Sequence, residues 1–176
     1  YQKKIFRFLN KKMRSIDFFF DVGAHRGETI KIYLNNFKIK NIYSFEPIKD
    51  NFEIMIKKKD NYSKMFPETK INIECLALGS ENIKKKIKFL NESSSSTLKN
   101  INSESSYFKK KNKFLFKKNL KNFYTEVIIN QITLRNYLIK QKIKKIDFLK
   151  IDTEGSEFDV LIGAEEVLQK IHFIIF

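Results

Sequence analysis

The chain has 176 residues, 42% of them hydrophobic and 31% charged, which suits one domain that can bury a core. One cysteine and two histidines exclude a disulfide framework and a cysteine-based zinc cluster, and they argue against a site of several histidines, so no metal is expected. The formal net charge of +15 suggests an anionic partner, but 31 lysines against 4 arginines are equally typical of an AT-rich genome.

The N-terminal segment, residues 1–15, is predicted to form an amphipathic helix because Ile5, Leu9 and Met13 recur at helical spacing. It lacks the apolar centre of a secretory signal peptide. No stretch of about 18 apolar residues occurs in the sequence, so it offers no candidate for a membrane-spanning helix. We therefore expect a cytoplasmic location.

Strand and helix patterns alternate from residue 16 onward. Residues 16–22 form a short apolar run that ends at Gly23, which is typical of a buried parallel strand. The elements predicted after it are a helix over 27–37, a strand over 41–46, a helix after Pro47 and a third strand over 70–78. This order indicates an α/β sheet with right-handed crossovers, in which the strands lie in the order 3-2-1-4-5.

The middle of the chain departs from this alternation, which then returns. Residues 83–124 are predicted to be a basic insertion between the third and fourth strands; an extra strand begins it at 83–90, and 99–122 hold eight lysines. The later elements predicted are a strand over 125–132, a helix over 133–142, the fourth strand over 145–152, a helix capped by Ser156 with Asp159, and a fifth strand over 172–176. The helix after Ser156 is expected to bury Phe158, Leu161, Leu168 and Ile171.

Glycines and acidic residues gather at the predicted strand ends, where ligands of open α/β sheets bind. Gly23 and Gly27 lie in DVGAHRG, and glycine permits tight turns and close approach of the backbone to a ligand. Glu46 follows Gly23 by 23 residues, close to the spacing of about 20 expected for a carboxylate that binds ribose hydroxyls. The pattern indicates a cofactor that contains adenosine.

The loop DVGAHRG favours S-adenosylmethionine over a dinucleotide. It lacks the second glycine of G-x-G-x-x-G, and Asp21 is expected to repel the phosphates of a dinucleotide. A cofactor with an ammonium and a sulfonium but no phosphate gains from Asp21. Asp152 and Glu154 join Asp21 and Glu46 at the strand ends, and such a group of carboxylates costs stability unless a cation or hydrogen-bond donors compensate.

Four sequence blocks together resemble the FkbM family of S-adenosylmethionine-dependent methyltransferases: DVGAHRGE, SFEP, the ALG of residues 77–79 and IDFLKIDTEGSEFDVLIGA. The resemblance covers residues 16–176. It implies that residues 1–176 form a single methyltransferase domain with a Rossmann-like class I fold, which stops before the family's last two strands. It also implies transfer of a methyl group, usually to a hydroxyl of a sugar, a glycan or another small metabolite.

The resemblance implies roles for individual residues. The cofactor loop would contain Asp21, Gly23, Ala24, His25 and Gly27; Glu46 would hold the ribose; Cys75, Leu76 and Ala77 would lie near the adenine. Asp152 and Glu154 would face the methyl group, with Asp152 the first candidate for a general base and Glu154 the second. His25 stands where the family often has Asn, and Arg135 replaces an acid that follows a Thr-Leu pair, so any role of that acid is lost.

Two other classes of protein remain as alternatives. The lysines at 84–88 and 109–121, interleaved with aromatic residues, are compatible with a module that binds nucleic acid or anionic glycans. The glycine loop is compatible with an NAD-dependent oxidoreductase. Titration with S-adenosylmethionine, NAD and RNA separates these three hypotheses.

Overall fold

Two sheets with flanking helices make up the computed structural model, which describes residues 9, 11–12, 15–90 and 124–176. In chain order the elements are β1 (Ile16–Val22), α1 (Glu28–Asn36), β2 (Ile39–Phe45), α2 (Lys49–Met65), β3 (Lys70–Glu74), β4 (Ala77–Leu78), β5 (Ile83–Leu90), β6 (Tyr124–Ile132), α3 (Leu134–Gln141), β7 (Ile146–Ile151), α4 (Glu157–Ile162), a 3-10 helix (Glu165–Lys170) and β8 (Ile171–Ile175).

The larger sheet has five parallel strands in the order β3-β2-β1-β7-β8. This confirms the predicted order and the α/β fold class, with β7 and β8 as the fourth and fifth strands. The chain runs outward from β1 to β3 on one side and continues with β7 and β8 on the other. The order of the strands therefore reverses at the boundary between β1 and β7.

Aromatic residues of the central strands form the core on both faces of the larger sheet. Phe19 and Phe148 pack against Tyr33 of α1 on one face, with ring centroids 4.7 and 5.5 Å from that of Tyr33. Phe20 and Phe45 contact Tyr137 of α3 on the other face. Full burial of one such side chain stabilises the fold by about 1.5–3 kcal/mol. Because this packing holds the central strands in place, it also fixes where the loops at their carboxyl ends begin.

The smaller sheet has the order β4-β6-β5, with β4 parallel and β5 antiparallel to β6. The predicted extra strand at 83–90 is present as β5, and its pairing with β6 extends to Leu90 opposite Tyr124. The lysines within 99–122 lie outside the described residues. Of the predicted N-terminal helix, Leu9 is helical and buried, and residues 11–12 are also helical.

Two predictions about local structure are wrong. The predicted strand over 70–78 is two strands, because β3 ends at Glu74, opposite Phe45 of β2, and β4 pairs with β6 of the smaller sheet. The Ser156 hydroxyl makes no capping hydrogen bond and is buried without a partner among the described residues.

The inward face of the segment after Ser156 also differs from the expectation. Phe158 is 68% exposed and Leu168 is 37% exposed, while Val160, Ala164 and Val167 are buried. Within α4 the buried residue is Val160, and Phe158, two positions earlier, lies on another side of the helix; Leu168 lies in the 3-10 helix that follows, whose three-residue repeat turns a different set of side chains inward. Within the described residues, no helix combines the length and the apolar character that crossing a membrane requires.

Candidate functional site

A cavity lies at the carboxyl ends of β1, β2 and β7, where the strand order reverses. Its walls are the loops after these strands, the residues that join β3 to β4, the start of α2, and Ile87 of β5. The cavity has a volume of about 70 Å³, several times the roughly 10–15 Å³ that one water molecule needs. Ligands of open α/β sheets bind at such a reversal point.

The loop after β1 is hydrogen-bonded to β2 on one side and packs closely against the segment after β7 on the other. The backbone N–H groups of Gly23 and Ala24 both donate to the carbonyl oxygen of Phe45, at 3.0 Å each. Gly23 has φ +77°, and a Cβ atom there would lie 2.0 Å from the carbonyl oxygen of Asp152. Glycine is therefore required at this point, because any side chain would push the loop away from the segment after β7.

Glu46 follows β2 and is held by main-chain donors. Its Oε2 accepts a hydrogen bond from the backbone N–H of His25, and its Oε1 accepts one from that of Ile48, both at 2.9 Å. Burial raises the pKa of Glu46 to about 7, against the opposing effect of these bonds and of one from Asn51. A carboxylate has about four acceptor positions, so Glu46 can accept further hydrogen bonds from a ligand in the cavity.

The turn after β7 brings Asp152, Thr153 and Glu154 to the cavity. The carboxylate of Glu157 organises this turn: it accepts hydrogen bonds from the backbone N–H groups of Thr153 and Gly155, both at 3.0 Å, and from the Thr153 hydroxyl at 3.2 Å. Burial opposes ionisation of Glu157, but these hydrogen bonds prevail and lower its pKa. The turn thus has one defined shape, which fixes where Asp152 and Glu154 emerge.

Asp21 lies beneath the cavity and does not line it. Its side chain is fully buried, and its Oδ1 accepts a hydrogen bond from the Nζ of Lys150 at 3.0 Å. The other oxygen, Oδ2, is buried without a partner among the described residues. Burial raises the pKa of Asp21, and the nearby ammonium of Lys150 opposes that rise.

Comparison with known proteins identifies the family and the fold. The family model described as the methyltransferase FkbM domain matches residues 21–176. The chain belongs to the FkbM methyltransferase family. Comparison with curated proteins gives no match.

A solved structure, methyltransferase FkbM from Methylobacillus flagellatus KT, is similar to this chain with a TM-score of 0.54 and 17% sequence identity. The similarity covers 87% of this chain and 30% of that one. At this identity the likeness shows the Rossmann-like fold alone. This FkbM chain spans less than a third of the length of its solved relative.

The cavity of this FkbM chain brings together most of the residues predicted for the site: Gly23, His25, Glu46, Leu76, Ala77, Asp152 and Glu154. Asp21, Ala24, Gly27 and Cys75 lie outside its lining. Ala24 is buried in the core, the Cβ position of Gly27 faces Ile30 and Met55, and the Cys75 thiol lies 3.8 Å from the Pro47 carbonyl oxygen. These four residues are close neighbours in sequence of the lining residues but do not themselves form the lining.

Sequence reasoning missed Asn51, Ile87, Lys150 and Glu157. Asn51 and Ile87 line the cavity, but they come from the start of α2 and from a strand of the second sheet, which no motif of the cofactor half contains. Lys150 and Glu157 lie within the block IDFLKIDTEGSEFDV, and their charges were the available signal. Within the described residues, no group of three or more His, Cys, Asp or Glu side chains could hold a metal ion.

Proposed function

We propose that this FkbM chain binds S-adenosylmethionine in the cavity and transfers its methyl group to a hydroxyl of a sugar, a glycan or another small metabolite. One observation carries the proposal: Glu46, buried and fixed by two backbone N–H groups, shares a cavity with Asp152 and Glu154 at the reversal point of the sheet. We expect the cofactor and the acceptor hydroxyl together to contact all three carboxylates.

The residues around the cavity fit S-adenosylmethionine. Glu46 accepts three hydrogen bonds from the protein and retains acceptor capacity for about one more, from a ribose hydroxyl, and Gly23 leaves the space that a side chain would fill. The apolar side chains of Ile48, Leu76 and Ala77 provide a surface for a purine base. Asp152 and Glu154 favour a ligand that carries positive charge.

The same lining argues against a dinucleotide. Among the described residues that line the cavity, none is Lys or Arg, the side chains that neutralise a pyrophosphate. The acidic groups present would instead repel it, at a cost of about 1–4 kcal/mol per close pair. NAD is therefore the weaker candidate, and its affinity is measured in the same experiment.

The proposed reaction requires few protein groups. Bound S-adenosylmethionine supplies an electrophilic methyl group. The leaving group, S-adenosylhomocysteine, is a neutral thioether, so no oxyanion hole is required. Asp152 is the first candidate to accept the proton that the hydroxyl loses, and Glu154 is the second; a general base contributes roughly 100- to 10,000-fold. Positioning of the two reactants by the loops around Gly23 and Glu46 contributes about 7–11 kcal/mol.

Calorimetric titration of the full-length protein tests the proposal. S-adenosylmethionine should bind, and Glu46→Gln should weaken binding about 10- to 150-fold, because a charge-assisted hydrogen bond contributes about 1.5–3 kcal/mol. Glu53→Gln is the matched control, since Glu53 lies on α2, is 53% exposed and pairs with Lys49. Equal affinities of the wild type and Glu46→Gln would contradict the site, and binding of NAD or RNA alone would favour the alternative classes.

A second assay tests the methyl acceptor. The wild type is incubated with S-adenosylmethionine and simple methyl glycosides, and release of S-adenosylhomocysteine is measured. Release above the rate without a glycoside supports methylation of a sugar hydroxyl. Release that occurs only with amine-containing or thiol-containing compounds would contradict it while leaving the cofactor assignment intact.

A further inference from the structure

Lys150 lies between two carboxylates that differ sharply in exposure. Its Nζ is 3.0 Å from Oδ1 of Asp21 and 3.4 Å from Oδ2 of Asp152. The Asp21 side chain is fully buried, that of Lys150 is 16% exposed and that of Asp152 is 63% exposed. The three residues thus form a continuous polar connection from the interior of the sheet to the edge of the cavity.

The backbone positions of all three residues are fixed by strand pairing or by a hydrogen bond. Asp21 of β1 and Lys150 of β7 are partners in the parallel ladder, so their side chains lie next to each other. Asp152 follows Lys150 by two residues, which directs both side chains to the same face in an extended segment. The backbone N–H of Asp152 donates to the carbonyl oxygen of Val22 at 2.9 Å, which holds it beside β1.

The ammonium group has the capacity for both carboxylates. Lysine carries three donors, so a bond with Asp21 leaves others for Asp152. Burial alone would lower the pKa of Lys150, but the carboxylates of Asp21 and Asp152 outweigh it and raise the pKa above its ordinary value. Lys150 therefore stays charged across the pH range of ordinary assays.

We propose that Lys150 is a positioning residue, which uses its bond with buried Asp21 to hold the Asp152 carboxylate in one orientation at the cavity. Its importance for methyl transfer rests on the proposed function, because Asp152 is there the first candidate for the base. A side chain as exposed as Asp152 would otherwise rotate among staggered conformers. Misplacement of a reacting group by about 1 Å can cost roughly 100-fold in rate.

A simpler role for Lys150 would be only to compensate the charge of Asp21, and that role leads to a different expectation for Asp152. If Lys150 served only to compensate Asp21, the conformation of Asp152 would be independent of Lys150 once Asp21 is uncharged. The informative comparison is therefore between Asp21→Asn and Asp21→Asn/Lys150→Met. Neither variant leaves a buried carboxylate without its cation, and Asn still offers Lys150 an oxygen acceptor.

The readout is the side-chain conformation of Asp152 by NMR, from the three-bond couplings that report χ1. We expect one dominant conformer in the wild type and in Asp21→Asn, and averaging over staggered conformers in the double variant. Lys150→Arg, which keeps a charged donor, should retain the single conformer. Lys145→Met is the matched control, since Lys145 pairs with Asp17 and Asp147 and does not line the cavity.

Each result of this NMR comparison either supports or overturns the role of Lys150. Averaging in the wild type, or one unchanged conformer in the double variant, would overturn the proposal. Averaging after Lys145→Met would also overturn it, because the effect would then be general loosening rather than loss of a specific bond. Titration of the wild type with S-adenosylmethionine judges the proposed function independently, since the conformation of Asp152 is measured without any cofactor.

Discussion

Replacement of Gly23 by alanine tests how closely the loop after β1 approaches the turn after β7. The new Cβ would lie 2.0 Å from the Asp152 carbonyl oxygen and 2.8 Å from its carbon, and both are backbone atoms that cannot swing aside. A residue other than glycine at φ +77° also costs roughly 1–2 kcal/mol. Displacing a packed backbone adds about 1–3 kcal/mol. We therefore expect Gly23→Ala to lower the free energy of unfolding by about 2–5 kcal/mol.

Urea denaturation measures this change, and Gly27→Ala provides the control. Gly27 has φ +76°, but its Cβ position is 3.4 Å from flexible side-chain atoms of Ile30 and Met55. It should therefore show only the backbone cost of about 1–2 kcal/mol. The difference between the two variants isolates the close approach to Asp152. Equal losses, within about 0.5 kcal/mol, would refute the reasoning from that contact.

Three other predictions concern the carboxylates. Because the pKa of Glu46 rises from 4.5 to about 7 on folding, the folded state binds more protons between these values. Stability should fall by up to roughly 3 kcal/mol as the pH rises from 4.5 to 7, and Glu46→Gln should flatten this slope in urea melts at several pH values. Asp21→Ala should lower the free energy of unfolding by about 3–5 kcal/mol, because it leaves Lys150 buried without its main partner, whereas a loss below about 0.5 kcal/mol, typical of an exposed position, would contradict the buried pair. Asp152→Asn should reduce kcat for methyl transfer by roughly 100- to 10,000-fold, far more than the loss of one carboxylate charge weakens binding of S-adenosylmethionine, and a change in affinity alone would assign Asp152 to the cofactor instead.

The sequence predicts the central sheet well because its signals are local. Five of the seven residues in the run 16–22 are apolar and a glycine follows it, and β1 has the same bounds as the prediction. The right-handed crossover rule then determines the neighbours of β1, and the structure has that order. Since parallel strands end at one edge, the residues after β1, β2 and β7 meet without any knowledge of side-chain packing.

The features that the sequence did not predict are the pairing of strands far apart in the chain and the direction of individual side chains. Nothing within 70–78 reveals that Ala77 pairs with Gln131 of β6, a partner far along the chain. Asp21 stands at a strand end, and only its register with Lys150 shows that it faces a buried cation rather than the cavity. Phe158 has the character of a core residue, and only the packing of α4 through Val160 shows that Phe158 is exposed.

The pairing of β5 with β6 allows the segment between them, residues 91–123 of the basic insertion, to be exchanged as a unit. Leu90 and Tyr124 are opposite each other, so the chain leaves and re-enters the smaller sheet at points separated by about the spacing of neighbouring strands, roughly 4.8 Å. Any segment whose two ends are that close can be grafted there without moving β1, β2 or β7. Because Ile87 of β5 lines the cavity and precedes this segment, replacement of residues 91–123 would leave that lining residue in the sequence together with the cofactor half.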